Sequence, residues 1–243
     1  MTGGTPQDGV SCQFDAVILA GGRAQRLGGT DKPGLIVAGR SLAAAVVSAA
    51  AQATTVIVVG PPRPELTRMR PGGRLRFTQE DPPGAGPLAA LRRGIVEVSA
   101  PWLTVLAADL PFLRGQHLRH LLAVAGACQI GPDTRAAREA GPAGEVGQAG
   151  EVGQAGDADR LGAAARCGAI LVDDEGRPQW LVGCWRTTTL RDALRAYHGQ
   201  SLRGLFAPLR PARVAVEPAA GTPPPWLDCD SPEDLRRARH WCP

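Results

Sequence analysis

From residue 14 onward, short apolar runs alternate with amphipathic stretches. Residues 14–20 (FDAVILA) are an apolar run of strand length, interrupted only by Asp15, as expected for a buried strand. A Gly-rich loop follows, then a helical pattern over 41–53, then a second apolar run, TVIVV, at 55–59. This is the β-α-β rhythm of a parallel sheet. It continues with a strand near 75–79, a helix over 87–98 opened by Pro87, and a strand at 102–108 that runs into Asp109. Ligands of such sheets bind at the carboxyl ends of the strands, so the loops after residues 20 and 108 are where chemistry is expected.

Between about 131 and 166 the pattern gives way to a Gly/Ala/Glu-rich stretch in which the unit AGEVGQ occurs twice in tandem, from Ala143 and from Ala149. Such a segment has too few large apolar side chains to offset the entropy of ordering it, so it is predicted to be a disordered insertion or surface loop. Apolar runs return at 167–172 and 180–185, followed by helical patterns near 188–197 and 202–209 and a strand at 213–216. The last helix opens with Asp230-Ser231-Pro232-Glu233-Asp234. Asp230 or Ser231 can cap it, Pro232 suits the first turn, and the acids favour the positive end of the helix dipole. These elements predict a flexible N-terminus over 1–13 and a single α/β domain over 14–243 that carries the insertion.

Composition narrows the classes. A chain of 243 residues with 44% hydrophobic content buries one substantial core. The balance of 27 Lys+Arg against 23 Asp+Glu leaves a charge of +4, but the basic residues form no consecutive block. Aromatics are 4% of the chain, too few for stacking platforms on single strands, so no nucleic-acid partner is expected. Anionic small molecules such as nucleotides suit the same balance. Cys12, Cys128, Cys167, Cys184, Cys229 and Cys242 show neither a C-x-x-C pair nor zinc-ligand spacing to a histidine, and read as reduced thiols. The first ten residues lack a basic leader, and no apolar run reaches the roughly 18 residues that span a bilayer. No membrane association is expected, and the cytoplasm is the expected compartment.

The chemistry-bearing segment is residues 19–33, LAGGRAQRLGGTDKP, directly after the first strand. Gly21, Gly22, Gly28 and Gly29 let the backbone bend and bring its N–H groups close to an anion. Arg23, Arg26 and Lys32, the only lysine in the chain, add positive charge around the same space. The spacing is neither G-x-G-x-x-G nor G-x-x-x-x-G-K-[ST], which argues against a dinucleotide fingerprint and a P-loop. Asp109 is a lone carboxylate after an apolar strand, with Pro111 turning the chain away; it is a hard oxygen ligand for a cation or a cap for a helix beginning near Arg114. Asp228 and Asp230 could join such a cation site, or Asp230 could serve only as a cap. His117, His120, His198 and His240 lie outside these segments, so no histidine base is assigned.

The segment L-A-G-G-x-x-x-R-x-G-x-x-D-K resembles the signature of the NTP transferase family related to molybdenum cofactor guanylyltransferase. Three later segments resemble that family's motifs in the same order: 80–91 (EDPPGAGPLAAL), 107–112 (AADLPF) and 228–235 (DCDSPEDL). The resemblance implies a three-layer, Rossmann-like fold of the nucleotide-diphospho-sugar transferase type, with a mostly parallel sheet. It also implies a magnesium-dependent transfer of GMP from GTP to molybdopterin with release of pyrophosphate. In that reading Leu19, Ala20, Gly21 and Gly22 face the nucleotide, Lys32 meets phosphate, Asp81 helps hold the nucleoside, Arg23 and Arg26 assist charge neutralisation, and Asp109 with Asp230 binds Mg2+. It leaves room for passing contacts with molybdenum-cofactor enzymes or insertion proteins. Two departures leave guanine and cytosine both open. Gly60-Pro61-Pro62 stands where the family often has Asn, and Asp228 and Asp230 stand in a closing element that usually offers Asn. A cytidylyltransferase acting on the same or another phosphorylated acceptor and a catalytically silent NTP-binding module are the competing readings; a nucleotide-sugar pyrophosphorylase generally needs a longer chain.

Overall fold

A computed structural model describes residues 13–21, 31–69, 74–127, 167–218 and 221–241. The first apolar run is strand β1 (Phe14–Leu19), buried along its whole length. It is flanked by β4 (Thr55–Val59) on one side and β6 (Trp102–Ala107) on the other, both parallel to it, and β5 (Arg74–Thr78) extends the sheet beyond β4. On the opposite side β8 (Pro178–Arg186) pairs antiparallel with both β6 and β7 (Gly168–Val172), and β9 (Ala212–Ala215) closes the edge parallel to β7. The order is β5-β4-β1-β6-β8-β7-β9. The sheet is therefore mostly parallel, with β8 the reversed strand.

Strand side chains alternate between two faces, and the core divides accordingly. Ala16 and Ile18 pack with α1 (Leu42–Ala49) and α4 (Gly115–Val124), whereas Val17 and Leu19 pack with α3 (Pro87–Gly94), α5 (Thr187–Ala196) and α6 (Leu202–Phe206). This is the expected three-layer arrangement. Buried Asp15 ties the lower ends of the strands together: its carboxylate accepts hydrogen bonds from the backbone N–H groups of Thr55, Ser99 and Ala100 at 2.7–2.9 Å.

Three helices are shorter than their patterns, the one expected near 202–209 ending at Phe206 before a 3-10 turn, Ala207–Leu209. The first stops at Ala49, because Thr54 N–H must reach Phe14 O to start β4 in register. The helix expected over 87–98 ends at Gly94 and tightens into a 3-10 turn, Ile95–Glu97. A small hairpin, β2 (Ile36–Val37) and β3 (Arg40–Ser41), has no counterpart in the sequence reading, being too short to show periodicity. The C-terminal helix α7 (Pro232–His240) lays Leu235 and Ala238 against Val37, Leu42 and Phe112, while Arg239 donates to Ile36 O at 3.2 Å. This small third core, which also holds Leu227 and Cys229, brings residues 227–238 back to the segment around Val37 and Leu42 that follows β1 in the chain. No described helix is long and apolar enough to cross a membrane. The N-terminal segment 1–12 and the insertion at about 131–166 lie outside the described residues.

Candidate active site

Four parallel strands, β1, β4, β5 and β6, end in a row. Ala20 N–H donates to Val59 O, Ala108 N–H to Leu19 O and Gly60 N–H to Thr78 O, so residues 20–21, 60, 79–80 and 108–109 are juxtaposed at one edge of the sheet. At Gly60, where φ is +150°, a Cβ would stand 2.8 Å from Ala20 O. Only glycine fits, and this loop presents backbone instead of an amide side chain.

Lys32 opens the 3-10 turn Lys32–Gly34 and projects toward this edge. Its ammonium is hydrogen-bonded to one oxygen of Asp109, at the end of β6, and to one oxygen of Asp230, just before α7. The side chains of Lys32 and Asp109 are each 15% exposed. Burial works against the charge of Lys32, but Asp109 and then Asp230 outweigh it and hold the ammonium above the ordinary lysine range. A third carboxylate stands near. Partial desolvation, followed by the charges of Asp109 and Asp230, pushes Asp228 up to about 6 against the opposing pull of Lys32. Between the two acids Cys229 is buried, and burial, with Asp109 next, lifts its thiol to about 12; it is a packing residue, not a nucleophile.

The cap question is settled by α7 itself. Ser231 Oγ accepts from Asp234 N–H at 3.1 Å while Asp234 Oδ2 accepts from Ser231 N–H at 3.0 Å, a reciprocal capping box. Asp230 is therefore not the cap, which frees it to reach Lys32. Asp109 is not the cap of α4 either; Arg114 holds that place, its N–H donating to His117 Nδ1.

Two residues that the sequence reading did not single out help build the site. Glu80 is buried next to Gly21; its Oε1 accepts from Gly84 N–H at 2.9 Å and its Oε2 has no hydrogen-bond partner. Asp81, the residue expected to hold the nucleoside, is exposed in the turn that follows. Arg63, at the start of α2 (Pro64–Thr67), donates from both terminal nitrogens to the two oxygens of Asp31. Its fixed place between Pro62 and Pro64 was the available signal. Leu19, Ala20 and Gly21 stand at the edge as expected. Gly22, Arg23 and Arg26 lie outside the described residues.

The donor set suits a small hard cation in part. Asp109 Oδ1 is buried without a hydrogen-bond partner, and Mg2+ is commonly held by one or two carboxylates together with substrate phosphates instead of a full protein cage. Among the described residues, no group of three or more His, Cys, Asp or Glu is arranged to hold an ion by itself. Asp109 and Asp230 are the fitting pair, at present joined by the ammonium of Lys32.

A family model, the MobA-like NTP transferase domain, matches residues 16–214. The chain belongs to this family. Among curated relatives of this MobA-like domain, the probable molybdenum cofactor guanylyltransferase of Natronomonas pharaonis is 32% identical over 108 residues, 43% of this chain and 54% of the relative. The molybdenum cofactor guanylyltransferase of a Bradyrhizobium species is 36% identical over 130 residues, 51% of this chain and 58% of the relative. The chain thus spans little more than half the length of these relatives. Among solved structures, molybdopterin-guanine dinucleotide biosynthesis protein A from Archaeoglobus fulgidus superposes with a TM-score of 0.58 at 17% identity, covering 94% of this chain and 98% of the other. The 2-C-methyl-D-erythritol 4-phosphate cytidylyltransferase from Thermus thermophilus does so with 0.56 at 18%, covering 95% and 98%. At these identities the likeness is one of fold alone.

Proposed function

We propose that the chain is a nucleotidyltransferase that moves GMP from GTP to a phosphorylated acceptor, molybdopterin, and releases pyrophosphate. The observation that carries this is the partly buried Lys32 held between Asp109 and Asp230 at the carboxyl edge of the sheet. A terminal phosphate oxygen of the acceptor attacks the α-phosphorus of GTP in line with the departing pyrophosphate, with no covalent enzyme intermediate. Such a reaction needs alignment and the neutralisation of charge spread over phosphate oxygens. The backbone of 19–21 flanks the nucleotide. Lys32, released from the carboxylates as triphosphate enters, meets the phosphates, and Arg23 and Arg26 bring further charge from the loop. Asp109 and Asp230 are the residues that would hold Mg2+, which would supply Lewis-acid neutralisation of the phosphate oxygens.

Guanine is favoured over cytosine because the curated relatives that overlap this chain are named guanylyltransferases; the cytidylyltransferase neighbours share the fold alone. The test is a thermal-shift panel of GTP, CTP, ATP and UTP with and without magnesium, followed by pyrophosphate release in the presence of molybdopterin. Stabilisation by GTP above the other three, with magnesium-dependent release, is the expected result. Binding without release points to a silent module, and a shift by CTP alone overturns the guanine assignment.

A further inference from the structure

Lys32 can act on phosphate only if its backbone is presented at one height above the sheet edge, and a second charged pair does this. Arg63 is fixed by the fold. It follows the end of β4, stands between two prolines, and its side chain is only 9% exposed. Its partner Asp31 is the residue immediately before Lys32, with a side chain 59% exposed. Asp31 therefore has freedom to move that Arg63 lacks, and the pairing transfers order from β4 to the loop. The two terminal nitrogens of Arg63 meet the two carboxylate oxygens separately, the forked geometry that fixes direction as well as distance.

The turn is shaped around that pair. Gly34 N–H donates to Asp31 O at 3.1 Å and Leu35 N–H to Lys32 O at 3.1 Å. A Cβ on Gly34 would stand 2.4 Å from Asp31 Oδ2 and 3.3 Å from Arg63 Nη1, so glycine there lets the carboxylate lie over the backbone within reach of the guanidinium. Arg63 Nε is buried without a hydrogen-bond partner. The fold tolerates that cost at a residue whose other nitrogens are spent on the lysine's neighbour.

We propose that Arg63 is a positioning residue for nucleotidyl transfer: through its forked pair with Asp31 it latches the Lys32 turn to the end of β4 and sets where the ammonium meets the phosphates. The inference rests on the phosphate role given to Lys32 above. It gives Arg63 no contact with substrate. Arg63 acts through Asp31 and Lys32, and its effect depends on the presence of Lys32.

The experiment is a double-mutant cycle on the full chain, reading kcat and KM for GTP by pyrophosphate release with molybdopterin, and the melting temperature of each variant. Arg63→Ala and Asp31→Asn are each expected to lower kcat/KM roughly tenfold to a hundredfold, the scale of an ångström-level misplacement. Arg63→Lys should restore only part, since a point charge does not reproduce the fork. Lys32→Ala should remove most activity, and adding Arg63→Ala to it should cost little more, the non-additivity of two residues acting as one. Should Arg63→Ala fail to fold, Asp31→Asn, which alters an exposed side chain, decides in its place. Parental activity in both latch variants, with Lys32→Ala impaired, overturns the latch and leaves the lysine's role standing. An undiminished loss from Arg63→Ala in the Lys32→Ala background also overturns it. Parental activity in Lys32→Ala overturns the phosphate role and the latch together.

Discussion

Lys32 and Asp109 show how much a single residue can be asked to do. Asp109 was legible in the sequence because an apolar strand that ends on a lone acid delivers it to the sheet edge. Asp230 was a candidate partner of Asp109 as well, but its hydrogen bond to Lys32 was not legible, because it is 121 positions further along the chain and nothing in local spacing says that it shares a lysine with Asp109. Asp109→Ala is expected to lower transfer more than tenfold while the circular-dichroism spectrum is unchanged, since it removes a hard oxygen ligand without opening an apolar cavity. Retention of more than a tenth of the activity, a barrier change below about 1.4 kcal/mol, would count against the metal assignment. Asp31 makes a separate, pH-dependent prediction. The hydrogen bond from Arg63 holds its carboxyl below the usual value of 3.8, so the folded state binds this proton less readily than the unfolded chain. The pair's contribution to stability is therefore complete above pH 3.8 and is lost as pH falls through the lowered folded value. Melting temperatures of the parent and Asp31→Asn should differ at neutral pH and converge below pH 3.8; a constant gap down to strong acid would mean that the pair is not linked to folding.

At the scale of elements, the strands were legible to within a residue or two, because buried parallel strands are dense apolar runs that little else in a chain imitates. Helix ends were less so. The pattern over 87–98 is amphipathic to its end, yet α3 stops at Gly94, the point where the helix meets the sheet. A Cβ there would lie 2.7 Å from both Val17 Cγ1 and Val59 Cγ2. Gly94→Val is accordingly expected to destabilise the fold by about 2 kcal/mol through overpacking, more than the few tenths of a kcal/mol that helix propensity returns. In urea the midpoint should fall with the slope unchanged; an unchanged midpoint would mean that α3 can lift off the sheet at no cost. The β2–β3 hairpin and the reversed direction of β8 escaped the sequence for a common reason. Two-residue strands have no period, and strand direction is decided by pairing partners, which a linear pattern does not name.

At the scale of the whole molecule, two helical layers close both faces of the seven-stranded sheet using described residues alone. The insertion at about 131–166 lies outside those residues, and its sequence offers no apolar periodicity. Deleting residues 141–156 is therefore expected to leave both melting temperature and turnover near the parental values, because loop length enters closure entropy only logarithmically. A clear loss in either assay would mean that the segment packs against the domain or binds a partner.

What the sequence determined by itself was the composition of the layers and the positions of the chemistry: where strands begin, which loops leave their carboxyl ends, and that a Gly-rich segment ending in Asp31-Lys32 and an acid at 109 lie on the same edge. These are local consequences of period and of chain direction in a parallel sheet. Only the tertiary structure decided that α7 folds back onto the β2–β3 hairpin and so carries Asp230 to Lys32, that Ser231 takes the cap, and that Arg63 holds Asp31. Each of these depends on contacts between segments far apart in sequence, whose energies come from burial and charge pairing in three dimensions and leave no periodic trace along the chain.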